Sequence, residues 1–451
     1  MVNRYCRREF LRTAAASSVG LTIAERLAAV PTQPIVEPLI RAGDTLETVR
    51  VGFVGVGHQG SSHVANFLKI DRVDIKAICD LVPEKVATMQ QLVVDAGRPK
   101  PAGYAGGADE YRRMCETEEL DLVFTATPWE WHAPVCVAAM ENGKHVATEV
   151  PMAVTVEECW QLVETAERTG RHCVMMENVC YGRLEMMILN MVRQGLLGEL
   201  LHAECGYLHD LRELKLTDFY EGRWRVKHSL RRNGDLYPTH GLGPVAQYMN
   251  VNRGNQFDYL VAMSTNSRGL NLWAAEHYGA VSAEARQRYA LGDVVSTLIR
   301  TVQGQTILVV HDTDSPRPYS RKLTVQGTKG LVQRFPDEKI HVEGRSAAHT
   351  WEDLESYRDE FDHPLWKALE ARSQGAGHGG MDYIEDHRLV QCLLEGAATD
   401  QDVYDGAAWS AVSQLSERSI AARGRPMDFP DFTRGRWKDR ESLGIIGASP
   451  R

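Results

Sequence analysis

The chain has 451 residues, of which 43% are hydrophobic and 25% are charged, and its formal net charge at pH 7 is −9. This composition is typical of a soluble globular protein with two or three domains. The negative charge argues against nucleic acid as a partner, because surfaces that bind DNA or RNA are basic.

The first 29 residues resemble a twin-arginine export signal. Arg7 and Arg8 stand before a short, mildly apolar run at residues 13–24. That run is too short to remain in a bilayer as a permanent span, and an amphipathic N-terminal helix is the alternative interpretation. We therefore predict a signal peptide at residues 1–29, a linker at residues 30–47, and a mature protein in the periplasm or outside the cell.

Apolar strands and amphipathic helices alternate between Val49 and about Asn178. This alternation predicts a doubly wound parallel sheet with helices on both faces, as in a Rossmann domain, and we place that domain at residues 48–180. The predicted strands are Val49–Val56, Val73–Cys79, Leu120–Thr125, His145–Glu149 and His172–Glu177, and the predicted helices are Pro83–Asp95, Ala108–Glu116, His132–Asn142 and Val156–Thr169.

A glycine-rich loop follows the first predicted strand. Gly55, Gly57 and Gly60 have the GxGxxG spacing, in which the first glycine makes the tight turn, the second lets a pyrophosphate approach and the third lets the helix pack on the strand. His58 and Gln59 complete the loop, and the N–H groups of the following helix would face the phosphates. A βαβ turn without a ligand is the alternative interpretation.

An acidic residue, Asp80, ends the second predicted strand, at the distance from the loop where a carboxylate accepts hydrogen bonds from a ribose 2′-hydroxyl. The same carboxylate would repel a 2′-phosphate, so the residues favour NAD over NADP. No group of His and Glu residues has the spacing of metal ligands, and we predict no metal.

The pattern changes after Tyr181, where strands of antiparallel character replace the alternation. We predict an α/β domain with a mostly antiparallel open sheet at residues 181–440, followed by a tail at residues 441–451. The predicted strands are Leu200–Tyr207, Tyr259–Ser264, Val294–Val302, Thr306–His311 and Lys322–Gln326, and the predicted helices are Leu184–Gln194, Tyr383–Glu395 and Tyr404–Arg423.

Polar and aromatic residues follow three of the parallel strands at their carboxyl ends. They form the segments Thr127–His132, Glu149–Pro151 and Glu177–Tyr181. Because open α/β sheets bind ligands beyond the carboxyl ends of their strands, we expect these segments to line one crevice beside a nicotinamide ring.

The order of these motifs resembles the glucose–fructose oxidoreductase superfamily, whose members oxidise or reduce sugar hydroxyls with a nicotinamide cofactor. The matching motifs are the glycine loop, Thr-Pro-x-x-x-His at residues 127–132 and Glu-x-Pro at residues 149–151. Most members have lysine between the glutamate and the proline, near the reacting hydroxyl, whereas this chain has Val150. An ordinary sugar dehydrogenase would lack its usual ammonium group here.

Three further motifs resemble glycoside hydrolase family 109, which contains NAD-dependent exo-glycosidases known for α-N-acetylgalactosaminidase activity. They lie at Gly234–Pro244, Asp312–Arg321 and Gly377–Asp382, and the resemblance covers nearly the whole mature chain. The resemblance implies NAD contacts at His58, Gln59, Asp80, Trp129, Glu130, Trp131, His132, Glu149, Val150, Asn178, Tyr237, Pro238, Thr239 and His240, and substrate contacts at Tyr207, Arg225, Tyr237 and Tyr319.

The implied reaction is a redox-neutral hydrolysis, an exception to the usual mechanism with two carboxylates. NAD⁺ takes a hydride from C3 of the sugar, and the resulting ketone acidifies the C2–H bond. A base removes the C2 proton, the C1 oxygen leaves with its aglycone, water adds to the enone, and NADH returns the hydride. Because no net NAD is consumed, the reaction suits a compartment without an NAD supply.

His240 is the preferred base, since imidazole titrates near neutral pH. Tyr237 and Tyr181 are candidates to relay protons, and Arg225 is a candidate donor to sugar hydroxyls. The alternatives are a structural hydrogen bond for His240, packing for the tyrosines and a surface ion pair for Arg225. His378 lies in a glycine-rich loop that would close over the site or serve as an ordinary loop residue.

Three functions remain compatible with these residues. The first is the redox-neutral glycosidase, the second is an exported NAD-dependent sugar oxidoreductase, and the third is a sugar-binding protein that keeps NAD as a structural part. The superfamily resemblance also implies a homo-oligomer that pairs through the sheet of the second domain.

Overall fold

The computed structural model of the protein describes residues 45–218 and 222–446. The predicted signal peptide lies outside these residues. Most of the predicted linker and the last residues of the predicted tail also lie outside them. Among the described residues, no helix is both long enough and apolar enough to cross a membrane.

The first sheet has six strands in the order β3-β2-β1-β4-β5-β6, and every neighbouring pair is parallel. Its apolar residues are buried because helices cover both faces. The strands are β1 Val49–Val54, β2 Val73–Cys79, β3 Ala102–Tyr104, β4 Leu122–Thr125, β5 His145–Thr148 and β6 Cys173–Met175.

The second sheet has nine strands in the order β14-β13-β12-β11-β7-β10-β9-β8-β15. The pair β7 and β10 is parallel, and the other pairs are antiparallel. The predicted fold class is therefore confirmed. The strands are β7 Leu200–Leu208, β8 Phe257–Ser264, β9 Val294–Thr301, β10 Thr306–Asp312, β11 Thr324–Gly327, β12 Gly330–Gln333, β13 Lys339–Val342, β14 Glu352–Asp353 and β15 Met427–Asp428.

Helices cover both sheets or connect their strands. They are α1 His58–Phe67, α2 Pro83–Asp95, α3 Glu110–Thr117, α4 His132–Glu141, α5 Val156–Thr169, α6 Arg183–Arg193, α7 Arg212–Leu216, α8 Trp224–Arg231, α9 Thr239–Tyr248, α10 Gly269–Tyr278, α11 Ala283–Arg286, α12 Arg358–Phe361, α13 Pro364–Ser373, α14 Met381–Glu395 and α15 Val403–Ala421.

Local signals explain where the prediction of elements succeeded and failed. The predicted bounds of α5 are confirmed, since Thr155 and Glu158 form a capping box and Gly170 ends the helix with φ 66°. Strand β3 was missed because it has only three residues. Helix α9 was missed because glycines and Pro244 interrupt its sequence.

The glycines of α9 allow this helix to lie directly on the second sheet. A Cβ atom on Gly241 would come within 2.3 Å of the backbone nitrogen of Gly206 in β7, and one on Gly243 would meet Glu177 at 2.9 Å. Only glycine permits this approach. As a result, His240 in the first turn of α9 lies between the second sheet and the carboxyl end of β6.

Candidate active site

A cavity of about 750 Å³ lies beyond the carboxyl ends of the parallel strands, where the second sheet and α9 face them. Its volume is in the range of small-molecule sites. The predicted residues that line it are Gly55, Gly57, His58, Gln59, Asp80, Trp129, Trp131, His132, Glu149, Val150, Asn178, Tyr207, Arg225, Tyr237, His240 and His378.

The glycine loop has the shape that a dinucleotide requires. Gly55 has φ 79°, and a Cβ atom on Gly60 would lie 2.0 Å from the carbonyl oxygen of Gly55. By contrast, a Cβ atom on Gly57 would meet only the Lys85 ammonium, at 3.8 Å. Gly55 therefore makes the turn, Gly60 lets α1 pack on the loop, and Gly57 leaves its open side to the cavity. Gly60 itself does not line the cavity.

Asp80 lies at the end of β2 and also holds the glycine loop. Its carboxylate accepts hydrogen bonds from the backbone N–H of Val56 at 2.8 Å and of Val82 at 2.9 Å. A carboxylate has about four acceptor positions, so Asp80 retains acceptors for a ribose hydroxyl. This arrangement fits the predicted preference for NAD.

Aromatic side chains form the wall between the cofactor loop and the second domain. The rings of Trp129 and Tyr237 stack with their centroids 5.6 Å apart. The Arg225 guanidinium lies over both rings, at 5.1 and 5.5 Å, a geometry that favours cation–π attraction. Burial raises the pKa of Tyr237 well above its usual value, although Arg225 opposes this shift. Tyr237 is therefore a neutral hydroxyl donor.

His132 fixes the loop that carries Trp129. Its ring nitrogens lie 2.7 Å from the carbonyl oxygens of Pro151 and Thr127, which join the loops after β4 and β5. Burial lowers the pKa of His132, although the two backbone carbonyl oxygens oppose this shift. These contacts give His132 a structural role, because they hold the two loops together at the edge of the cavity.

The first of two histidine–carboxylate pairs on the cavity is His240 with Glu177. Their Nδ1 and Oε1 atoms are 2.7 Å apart, and the Glu177 side chain is fully buried. A carboxylate accepts hydrogen bonds only, so Nδ1 carries the hydrogen, and in the neutral ring Nε2 is the nitrogen with the lone pair. This tautomer suits a base.

The second pair is His378 with Asp382, and it lies beside the glycine loop, because Gln59 of that loop contacts Asp382. Their Nδ1 and Oδ2 atoms are 2.8 Å apart, and half of the His378 side chain is exposed whereas Asp382 is fully buried. The Asp382 carboxylate raises the pKa of His378. Gln59 and Asn178 also donate to Asp382, at 3.2 and 2.7 Å.

A third histidine lies behind the cavity wall. His63 of α1 contacts Glu149 at the end of β5 and Asp386 of α14. Glu149 was predicted as a site residue, but His63 and Asp386 were not predicted from the sequence, nor was Asp382 as the partner of His378. The only available signal was the position of Asp382 at the end of the Gly377–Asp382 motif.

Some predicted residues do not reach the cavity, and these predictions are corrected. Tyr181 is buried and donates to Asp400 at 3.2 Å, away from the cavity, so its position does not suit a proton relay there. Glu130 turns outward to His228, at 3.4 Å. Pro238 and Thr239 form the start of α9 and do not line the cavity, which their neighbours Tyr237 and His240 reach.

Tyr319 is also absent from the cavity lining, but it lies next to it. Its ring is 6.1 Å from that of Tyr207 and 5.0 Å from that of His209, and 39% of the residue is exposed. Tyr207 and His209 both line the cavity and share a hydrogen bond of 3.0 Å. His209 was not among the predicted residues.

The fold and the cavity define a protein of the class built on an NAD-binding Rossmann domain with a second sheet domain. Residues 49–177 match the family "Oxidoreductase family, NAD-binding Rossmann fold". Among solved structures, an inositol dehydrogenase homologue from Azotobacter vinelandii in complex with NAD⁺ aligns over 86% of this chain and 99% of its own, with a TM-score of 0.64 and 19% identity. A levoglucosan dehydrogenase aligns with a TM-score of 0.66, 20% identity, and coverage of 85% of this chain and 100% of its own.

Residues 181–439 match the family "Glycosyl hydrolase 109, C-terminal domain". The "Glycosyl hydrolase family 109 protein 1" of Shewanella sp. (strain MR-4) is 49% identical over 98% of this chain and 99% of its own length. A Shewanella oneidensis protein named "Alpha-N-acetylgalactosaminidase" is 48% identical over the same shares. The chain therefore belongs to glycosyl hydrolase family 109, and the predicted resemblance is confirmed.

The close contact at Gly60 yields a prediction for the cofactor loop. We expect Gly60→Ala to push α1 away from Gly55 and to weaken NAD⁺ binding by about tenfold or more, since the loop N–H groups then lose their alignment. Isothermal titration of NAD⁺ into the full chain, after removal of its bound cofactor, measures this change. Gly107→Ala is the matched control, because its Cβ atom would meet nothing within 4 Å at the same cavity. Equal affinities for the two variants would contradict this account of the loop.

Proposed function

We propose that the protein hydrolyses terminal α-linked N-acetylgalactosamine, or a related hexose, with a bound NAD⁺ that is regenerated in each cycle. The observation that carries the proposal is the presence of two histidine–carboxylate pairs on one cavity beside a dinucleotide-binding loop. The name of the Shewanella oneidensis relative supports the choice of sugar.

Bound NAD would supply reversible oxidation at C3 of the sugar, which acidifies the neighbouring C2–H bond. The chain must then provide a base and an acid at different positions. His240 is suited to the base, because Glu177 holds its Nδ1 and directs the Nε2 lone pair to the substrate. Tyr207 and Tyr237 place hydroxyl groups on the same wall of the cavity.

His378 is suited to the acid that protonates the departing glycosidic oxygen. Its pKa is raised by Asp382, so a larger fraction of the ring is protonated near neutral pH. Its side chain is 50% exposed, whereas that of His240 is 11% exposed. A position at the open side of the cavity suits an aglycone that leaves toward solvent.

A sugar oxidoreductase is the second candidate, and the position of Val150 argues against it. Val150 is buried and lines the cavity where relatives in the superfamily carry lysine. Without an ammonium beside the reacting hydroxyl, a dehydrogenase of this type lacks a proton carrier. The glycosidase instead has His240 and His378.

The test of the function uses purified protein with its bound cofactor and no added NAD. We expect it to release p-nitrophenol from the α-linked N-acetylgalactosaminide, with deuterium from D₂O appearing at C2 of the released sugar. Steady NADH formation from free sugars, without release from any α- or β-linked aryl glycoside, would instead identify an oxidoreductase.

The acid role of His378 predicts a pH dependence. A general acid acts only below its pKa, so cleavage of alkyl α-glycosides should decline as the pH rises through the raised pKa of His378. In Asp382→Asn this pKa falls, and the decline should move to lower pH.

We also expect His378→Gln to lower the rate on alkyl glycosides by about 100-fold or more, but to spare p-nitrophenyl glycosides, whose leaving group needs no proton. His277→Gln is the control, since that exposed histidine lies on α10 and stacks on Trp273. Equal losses on both glycoside classes would refute the acid role.

The proposal includes export of the folded protein with NAD already bound, because a redox-neutral cycle needs no external cofactor supply. Arg7 and Arg8 support the twin-arginine route. Replacing both by lysine should keep the protein in the cytoplasm, as cell fractionation with an antibody would measure. Unchanged export would exclude this route.

A homo-oligomer that pairs through the outer face of the second sheet is also part of the proposal. Its support is the exposure of apolar side chains on that face, where Met263 is 73%, Leu201 50% and Leu298 42% exposed. Light scattering of the purified chain measures the mass, and a monomer would exclude this arrangement.

A further inference from the structure

A column of three ionisable side chains runs from the cavity wall into the core. Glu149 Oε1 lies 2.8 Å from His63 Nε2, and His63 Nδ1 lies 2.9 Å from both carboxylate oxygens of Asp386. The exposed fractions of these side chains are 16%, 1% and 0% in that order. Glu149 is thus the only member of the column that faces the cavity.

The contacts determine the charge of the column. An ionised carboxylate only accepts hydrogen bonds, so a ring with a carboxylate at each nitrogen donates from both and is an imidazolium. Burial alone would lower the pKa of His63, but Asp386 and Glu149 outweigh it and raise that pKa well above its usual value. Burial likewise opposes ionisation of Glu149, but His63 lowers its pKa.

Packing fixes the orientation of these groups. The His63 ring lies 4.3 Å from the ring of Phe124 in β4, and Asn66 donates to Asp386 at 3.0 Å. The backbone N–H of Val150 donates to the second oxygen of Glu149 at 3.1 Å. A carboxylate held on both oxygens keeps its position when a ligand enters.

The carboxylate of Glu149 is the end of the column that faces the cavity, and the His63 ring lies behind it. The next residue is the uncharged Val150, so no lysine at that position neutralises Glu149. An oxidised nicotinamide ring carries a positive charge that the reduced ring lacks. In a partly buried site, a nearby carboxylate therefore stabilises the oxidised form more than the reduced form.

We propose that Glu149, positioned by His63 and Asp386, makes the protein bind NAD⁺ more tightly than NADH. The inference rests on the proposed function, because it assumes that the nicotinamide binds at the carboxyl end of β5. Such a bias keeps the resting cofactor oxidised. It also favours return of the hydride to the sugar intermediate over its retention as bound NADH.

A partition experiment tests the proposal on the holoprotein. The full chain is incubated with defined mixtures of NAD⁺ and NADH until equilibrium. Equilibrium is reached when protein that was first loaded with NAD⁺ and protein that was first loaded with NADH give the same bound NAD⁺/NADH ratio. Bound and free forms are then separated and quantified. The bound NAD⁺/NADH ratio divided by the free ratio gives the relative affinity directly.

We expect this relative affinity to exceed one in the wild type and to fall by about tenfold in Glu149→Gln, where tenfold corresponds to about 1.4 kcal/mol. Glu149→Asp keeps the charge and should retain a preference for NAD⁺. Glu141→Gln is the control, because that carboxylate pairs with Arg168 and does not line the cavity, and the ratio of this variant should equal that of the wild type.

The outcomes separate this inference from the proposed function. A wild type that binds both forms equally, or a Glu149→Gln variant with an unchanged ratio, would overturn the role of Glu149 and leave the glycosidase proposal intact. A wild type that binds neither form would overturn the proposed function itself. If Glu149→Gln fails to fold, the wild-type ratio and Glu149→Asp still decide the inference.

Discussion

The site depends on the buried carboxylates that α14 extends toward the Rossmann domain. Asp382 and Asp386 lie one helical turn apart on α14, and both are fully buried. Asp382 binds His378, Asn178 and Gln59, and Asp386 binds His63. Burying these charges costs much free energy unless each is paired. The pairing therefore holds the second domain's helix to the cofactor loop and to the strand ends at the same time.

This pairing explains why three histidines near one cavity can have different protonation states. His378 has one carboxylate partner and a raised pKa, and His63 lies between two carboxylates and has a pKa well above its usual value. His132, by contrast, meets only backbone carbonyl oxygens, and burial lowers its pKa. The pKa therefore rises where a carboxylate faces the ring and falls where the buried ring faces none. Acid, base and structural roles can thus coexist within one site.

The replacement of a cation by Val150 changes the electrostatics of the cofactor end of the cavity. In the superfamily that this chain resembles, a lysine follows the glutamate and lies near the reacting hydroxyl. Here Glu149 has no neighbouring lysine, and its carboxylate contacts His63 on the side away from the cavity. In the proposed reaction the site returns its hydride in every cycle, and a bias toward the oxidised cofactor favours that step. A fold shared with dehydrogenases can in this way support hydrolysis.

The sequence by itself determined the sheet classes, the glycine loop, Asp80 and the three strand ends that meet at the cavity. These features follow from local spacing and from the rule that parallel strands present their carboxyl ends on one edge. Only the tertiary structure decided the partners of the histidines, because His63 and Asp386 are 323 residues apart in the chain. It also decided the direction of side chains in short turns, where Trp129 faces the cavity and Glu130 faces away. Spacing places a residue at the end of an element, but packing against the other domain determines which way its side chain points.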